Sequence, residues 1–311
     1  MVSNRKKERS VMAQSQILRA MTKDGTARVL VINSTDIVKH AQQVHHTAPT
    51  ATAALGRLLT ATSMLGSLMA EKAESLTIGI NGDGILGKLI AVSDYYGNVR
   101  GYVENPLADP PLRPDGKLNV GGAVGQGILY VVHSLGQGEP QTGMINLQTG
   151  EIAEDIAAYY AGSEQVPTVC ALGVLVDTNY TCRAAGGVLI QLLPFPAEET
   201  VAKLEENARK LTNVSGMVDG GMSLIDMMNV VLDGIPYDPF DTIDVDYLCT
   251  CSRERMLRGI VSLGKKQVEE MLAEQLSEGK AAELTATCRF CNSEYTFDRE
   301  TLISQFVETE E

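Results

Sequence analysis

Tryptophan is absent from this chain, and aromatic residues of any kind make up only 5% of its 311 positions. Histidine is nearly as scarce. There are four, two of them adjacent (His45 and His46), and no H-E-x-x-H pair occurs, so the histidines do not build a catalytic metal site. No run of 18 apolar residues exists, which excludes a transmembrane helix. Lys and Arg total 26 against 39 Asp and Glu, a net charge of −13. The excess of positive charge that phosphate neutralisation needs is missing, which argues against nucleic-acid and membrane-surface roles. The opening stretch MVSNRKKERSVMAQ is basic but lacks the apolar segment of a secretory signal. The expectation is a reducing cytoplasm, where close cysteine pairs are more often metal ligands or redox devices than permanent disulfides.

What the chain does contain is unevenly spread. All five Phe (Phe195, Phe240, Phe290, Phe297, Phe306) lie beyond residue 194, whereas most of the 29 glycines lie before it. "LLPFPAEE", around Pro194–Pro196, breaks an apolar run and opens an acidic helix, which marks a domain boundary. Residues 1–15 have no apolar period and read as a disordered extension. "ARVLVINST" (27–35) reads as a strand, followed by one long helix over 46–72 with Pro49 in its first turn and Leu55, Leu58, Leu59, Thr62, Leu65 and Met69 on a buried face. The runs SLTIGI, KLIAVSD, VRGYVEN and GILYVVHSL, separated by glycine turns, carry a hairpin signature. GEIAEDIAAYYAGSEQ reads as a helix, and TVCALGVLV and AGGVLIQLL suit buried strands. The expected fold class is α+β, with a mixed sheet-and-helix core over 16–196, a helical linker over 197–246 and a small C-terminal domain over 247–311. Within the linker, Val201, Leu204, Ala208 and Leu211 share one helical face, and Met222, Met227 and Met228 stand among Leu and Val in the next helix. In the last segment Ser262 is the expected cap of a helix burying Val268, Met271 and Leu272; the strands ELTAT and EYTF flank a CRFC turn, and Asp298 caps a final helix.

Four of the six cysteines form two close pairs, Cys249/Cys251 in CTC and Cys288/Cys291 in CRFC. A zinc site, a pair of disulfides and a catalytic redox centre are the three readings. Tetrahedral zinc needs four converging sulfurs, and two close pairs on separate stretches supply them. A segment of about 65 residues seldom builds a sufficient core without such a staple. Four thiolates leave no open coordination position, so a catalytic zinc is disfavoured. Nothing about holding zinc demands the one-residue gap of CTC, but it makes that pair easy to oxidise locally, and Arg253, Arg255 and Arg289 beside the ligands favour thiolates. Cys170 and Cys182 sit in apolar stretches and read as buried, inert thiols.

"GDGILGKL" (82–89) satisfies both G-x-G-x-x-G and the opening of a phosphate loop. A phosphate loop needs Ser or Thr where Leu89 stands, and both motifs need a helix afterwards. Here KLIAVSDYYGNVRGYV alternates like a hairpin, so the expectation is a turn between strands and no bound nucleotide.

The stretches TATAALGRLLTAT (50–62), GNVRGYVENP (97–106), GEIAEDIAAYY (150–160), ALGVLVD (171–177), CTCSRERM (249–256) and CRFCNSEYTFDRE (288–300) together resemble the heat-shock protein 33 family of redox-regulated chaperones, from about residue 16 to the C-terminus. The resemblance implies that 247–311 is a zinc-binding redox-switch domain, that Cys249, Cys251, Cys288 and Cys291 hold one zinc per chain when reduced, and that oxidation forms Cys249–Cys251 and Cys288–Cys291 disulfides. It implies a cytoplasmic, ATP-independent holdase rather than an enzyme, one that binds unfolded or partly unfolded client proteins and is a homodimer when active. Three features depart from the pattern: the extension 1–15, a longer gap between the cysteine pairs with AEQLSEGKA inserted, and Phe195 where glycine is expected. The competing reading is a static zinc-ribbon adaptor for protein or nucleic acid. Residues 247–311 carry 8 Lys and Arg against 12 Asp and Glu, which disfavours phosphate. A thiol oxidoreductase comes third, since its CxxC usually opens a helix and CRFC lies between strands.

Overall fold

In the computed structural model, residues 15–306 are described, and the extension expected over 1–15 lies outside them except for Ser15. The chain divides into two compact units, the first through Leu248 and the second from Cys249.

The first unit begins with β1 (Gln16–Thr22), β2 (Ala27–Asn33), α1 (Thr35–His45) and α2 (Pro49–Gly66). Next come β3 (Ser75–Gly82), β4 (Lys88–Asp94), β5 (Val99–Val103), α3 (Val120–Val124), β6 (Gly127–Ser134), β7 (Gln141–Asn146), α4 (Ala153–Gly162), β8 (Thr168–Val176) and β9 (Cys182–Leu192). It closes with α5 (Glu198–Ala208), α6 (Val214–Asp219), α7 (Leu224–Val231) and β10 (Tyr237–Asp244). Two five-stranded antiparallel sheets result, in the orders β10-β1-β2-β9-β8 and β5-β4-β3-β6-β7.

Helix α2 is the centre of this unit. The expected apolar stripe is in fact a helix buried on nearly every face from Thr50 to Gly66, with Arg57 partly exposed, because both sheets and α1 pack on it. Its hydroxyls are buried without penalty: Thr60 and Thr62 donate to the Gly56 and Leu58 carbonyls at 2.7 Å. Glycine is needed at Gly66, where a Cβ would fall 2.1 Å from Ser93 Oγ.

Strand β2 is apolar and buried from Val29 to Ile32 because its sheet is covered on both faces. Leu30 and Ile32 face the α2 core, while Ala27, Val29 and Val31 face a second cluster with Leu204, Val214, Met227, Met228 and Val231 of α5–α7. Met227 and Met228 are almost fully buried, and Met222 is exposed. Ser223 and Asp226 form a capping box that starts α7.

The segment expected as a helical linker therefore holds three helices and then a strand. β10 extends the first sheet from its edge, with a register shift where Ala20 faces Pro239. Proline is tolerated there because an edge strand leaves one row of amides unpaired. GDGILGKL forms a tight turn, with Leu86 buried, Gly87 at φ 65° and β4 resuming at Lys88, and no helix follows it.

The second unit contains α8 (Arg253–Val261), α9 (Lys265–Ser277), the hairpin β11 (Glu283–Thr287) and β12 (Glu294–Asp298), and α10 (Arg299–Ser304). Its core is six buried side chains: Ile260, Val268, Leu272, Leu284, Phe297 and Leu302. Ser262 ends α8 rather than opening α9, which starts after Gly264 at φ 89°, and Met271 points outward. Asp298 accepts from the Thr301 amide at 2.7 Å and caps α10 as expected.

Candidate metal centre

The four paired cysteines converge. All four sulfurs lie within 4.8 Å of one another. Across the pairs, the sulfurs of Cys249 and Cys288 lie 3.7 Å apart and those of Cys251 and Cys291 3.4 Å apart.

Local structure explains the convergence. CRFC is the turn of the β11–β12 hairpin. The Asn292 amide donates to the Cys288 carbonyl at 2.8 Å, the Cys288 amide donates to the Ser293 carbonyl at 2.9 Å, and Asn292 takes the left-handed conformation, which Asn tolerates. CTC runs into α8, whose cap is Ser252. Arg255 reaches back from α8 to the Thr250 carbonyl (2.9 Å) and hydroxyl (3.0 Å), fixing the bend between the two sulfurs. Arg253 lies 4.4 Å over the Phe297 ring, tying α8 to β12.

The electrostatics are uneven. Burial pushes the Cys249 and Cys288 thiols up. Burial also raises Cys291, but hydrogen bonds with Ser293 and the neighbouring thiols outweigh it and hold Cys291 at about 7. Tyr295 O–H lies 3.1 Å from Cys251 Sγ, and that hydrogen bond, followed by burial, pushes the phenol up to about 12. Four sulfurs this close cannot all be thiolates without a cation among them. The donor set fits a soft divalent metal in tetrahedral geometry.

Sequence reasoning missed Ser293, Tyr295 and the Arg255–Thr250 clamp. The signal for Tyr295 was the alternation E-Y-T-F, which turns Tyr295 and Phe297 to one face of β12. By contrast, Cys182 is buried on β9 and Cys170 is half-buried on β8; burial pushes both thiols up to about 12, and neither joins the cluster.

An α+β unit followed by a small unit folded around four thiols defines a protein with a cysteine-cluster appendage. Comparison makes the class specific: the profile of the family described as Hsp33 protein matches residues 15–298. The 33 kDa chaperonin of Clostridioides difficile is 44% identical over 288 residues, covering 92% of this chain and 97% of that protein. That of Alkaliphilus metalliredigens is 41% identical, covering 93% and 97%. The crystal structure of the 33 kDa chaperonin (heat shock protein 33 homolog) of Thermotoga maritima superposes with a TM-score of 0.86 at 32% identity, covering 96% of this chain and all of the other. The chain belongs to the Hsp33 family.

Proposed function

We propose that this protein is a redox-regulated, ATP-independent holdase chaperone of the cytoplasm, not an enzyme. Cys249, Cys251, Cys288 and Cys291 hold one zinc in the reduced form, and the active form is a homodimer that binds unfolding client proteins. The observation that carries the reading is the four-sulfur cluster in a unit whose described residues form a core of six buried apolar side chains. Zinc with arms of about 2.3 Å has sulfur–sulfur edges near ~3.8 Å, close to the 3.7 Å and 3.4 Å separations. When bound, zinc supplies the positive charge that lets four thiolates lie together, a contribution on the order of 10–16 kcal/mol in small zinc-folded units.

The chain's own residues do the rest. Arg255 and the hairpin turn hold the thiolates in place. Each close pair gives two electrons to one peroxide, forming one S–S bond and, with two protons, two waters. Disulfide sulfurs ligate metal poorly, so the second unit then loses its staple. We assign the segment 197–246 as the linker that loosens with it, and its docked face, Leu204, Val214, Met227, Met228 and Val231, is the apolar surface such loosening exposes to clients. Activation by oxidation needs no nucleotide, consistent with the strand that follows GDGILGKL.

The pairing of the disulfides decides whether the switch works. Bonds within the pairs close loops of one or two residues and restrain almost nothing. Bonds across Cys249–Cys288 and Cys251–Cys291, 39 and 40 residues apart, would stabilise the second unit by roughly 4 kcal/mol in the chain-entropy picture. Metal analysis of reduced protein, followed by peptide mapping after peroxide, tests this. One zinc per chain, then Cys249–Cys251 and Cys288–Cys291 bonds with zinc released, is expected. Absence of zinc contradicts the zinc-switch and zinc-ribbon readings alike, whereas zinc retained in peroxide, or cross-pair bonds, contradicts the switch and favours a static adaptor.

A further inference from the structure

Three of the four sulfurs have backbone amides among their hydrogen-bonding partners: Cys251 N–H for Cys249, Phe290 and Cys291 N–H for Cys288, and Ser293 N–H for Cys291. At Cys251 a side chain is also enlisted. Tyr295 on β12 brings its hydroxyl to 3.1 Å from Cys251 Sγ, across from the segment that leads into α8. The contact joins the CTC half of the cluster to the hairpin half without passing through a metal. The Tyr295 ring packs with Tyr295's neighbours in the Phe297 core, so the hydroxyl is held at the sulfur by packing as well as by the bond itself.

We propose that Tyr295 is a positioning residue of the switch, whose hydroxyl donates to the Cys251 thiolate, strengthens metal binding and slows the attack of Cys251 on peroxide. The proposal rests on the zinc-switch reading above. In the step concerned, the Cys251 thiolate donates an electron pair to one peroxide oxygen, the O–O bond breaks, and a sulfenic acid and hydroxide form. A neighbouring thiolate then displaces a second hydroxide as the S–S bond closes, and two protons convert both hydroxides to water. A donor on the attacking sulfur withdraws the electron pair the first step uses. The same donor spreads the negative charge of a four-thiolate set and so favours the metal-bound state, as outer-shell hydrogen bonds do elsewhere.

The test uses full-length protein loaded with zinc. Tyr295→Phe keeps the ring and removes the hydroxyl. Thr296→Val serves as the control, because Thr296 bonds Thr285 at 2.9 Å on the exposed side of the same hairpin and leaves the sulfur alone. Zinc affinity is measured by chelator competition in reductant, zinc release is followed after peroxide, and the thiolate-to-metal charge-transfer band is recorded in cobalt-substituted protein. For Tyr295→Phe the expected results are roughly ten-fold weaker zinc binding, faster release in peroxide and a band at lower energy, with Thr296→Val like wild type. Tyr295→Phe matching wild type in all three, or Thr296→Val reproducing its effects, overturns the proposal while the zinc switch stands. Wild-type protein that keeps its zinc in peroxide overturns the switch reading, and the affinity comparison in reductant still upholds or overturns the hydrogen bond by itself.

Discussion

Phe195 is the most unusual single residue. It sits fully exposed at φ 61°, a left-handed conformation that suits glycine. Its flanks are both fastened to the β1–β2 turn: the Leu193 amide donates to the Thr26 carbonyl at 2.8 Å, and the Ala197 amide donates to Thr26 Oγ at 3.0 Å. Those anchors impose the backbone on whatever side chain stands between them. Phe195→Gly should therefore relieve strain of about 1 kcal/mol, less the flexibility glycine adds to the unfolded chain; a rise in the urea midpoint without a change in slope is the expected sign. At Cys288, substitution by Ser leaves three sulfurs, so weaker zinc binding and partial chaperone activity without oxidant are expected, read by metal analysis and light scattering. The two remaining thiols give a pH prediction. Burial raises Cys170 and Cys182 to about 12, above an unfolded value of about 8.5. Their contribution to stability is complete below about pH 8.5 and is lost as pH climbs toward 12, since the unfolded chain then ionises first. Alkaline denaturation should shift to higher pH in a Cys170→Ala/Cys182→Ala protein if that variant folds, and in wild type both thiols should resist alkylation at neutral pH.

Among elements, β10 ties the end of the first unit down. Arg19 of β1 makes two bonds to Asp241 of β10, at 2.8 and 2.5 Å, and this partner holds the Asp241 carboxyl below the usual carboxylate range. The pair's contribution is present above about pH 4 and is lost as pH falls through the folded value. Beyond β10, Tyr247 O–H donates to the Gly101 carbonyl at 2.8 Å and meets His45 Nε2 at 3.0 Å, while the Leu248 amide donates to Val99 at 2.9 Å. Tyr247→Phe should speed hydrogen exchange over 245–248 in reduced protein and cost on the order of 1 kcal/mol; unchanged exchange there would show that the strand contacts alone hold the segment. Elements whose signal is local were legible in sequence: the hairpins of the second sheet, the CRFC turn between alternating strands, and Asp298 as a cap. β10 was not, because YDPFDTID is an exposed, acidic edge strand with a proline, and its partner β1 lies more than 200 residues away. The placement of α2 was legible only as one face, since burial on all sides depends on two sheets that no local pattern reports. Likewise the four sulfurs were readable from spacing, whereas Tyr295 and the Arg255 clamp depend on how β12 and α8 turn toward them.

At the scale of the whole molecule, stability is divided unequally. The first unit has a two-sheet core around α2 and contributes no sulfur to the cluster. The second has, among its described residues, a core of six buried apolar side chains and four thiols. Loss of the metal should therefore be felt by the second unit while the two-sheet core stays folded. After peroxide, limited trypsin should leave a protected fragment that retains β9 and ends near Lys203–Lys210, and resistance throughout would contradict that division. The central claim is that oxidation creates chaperone activity, and light scattering from a thermally aggregating test protein reads it directly, without ATP, in the presence of reduced, peroxide-oxidised and re-reduced protein. Suppression of aggregation by the oxidised form, with little by the reduced form and reversal on re-reduction, is the predicted result; equal suppression by reduced and oxidised protein, or none by either, would contradict it.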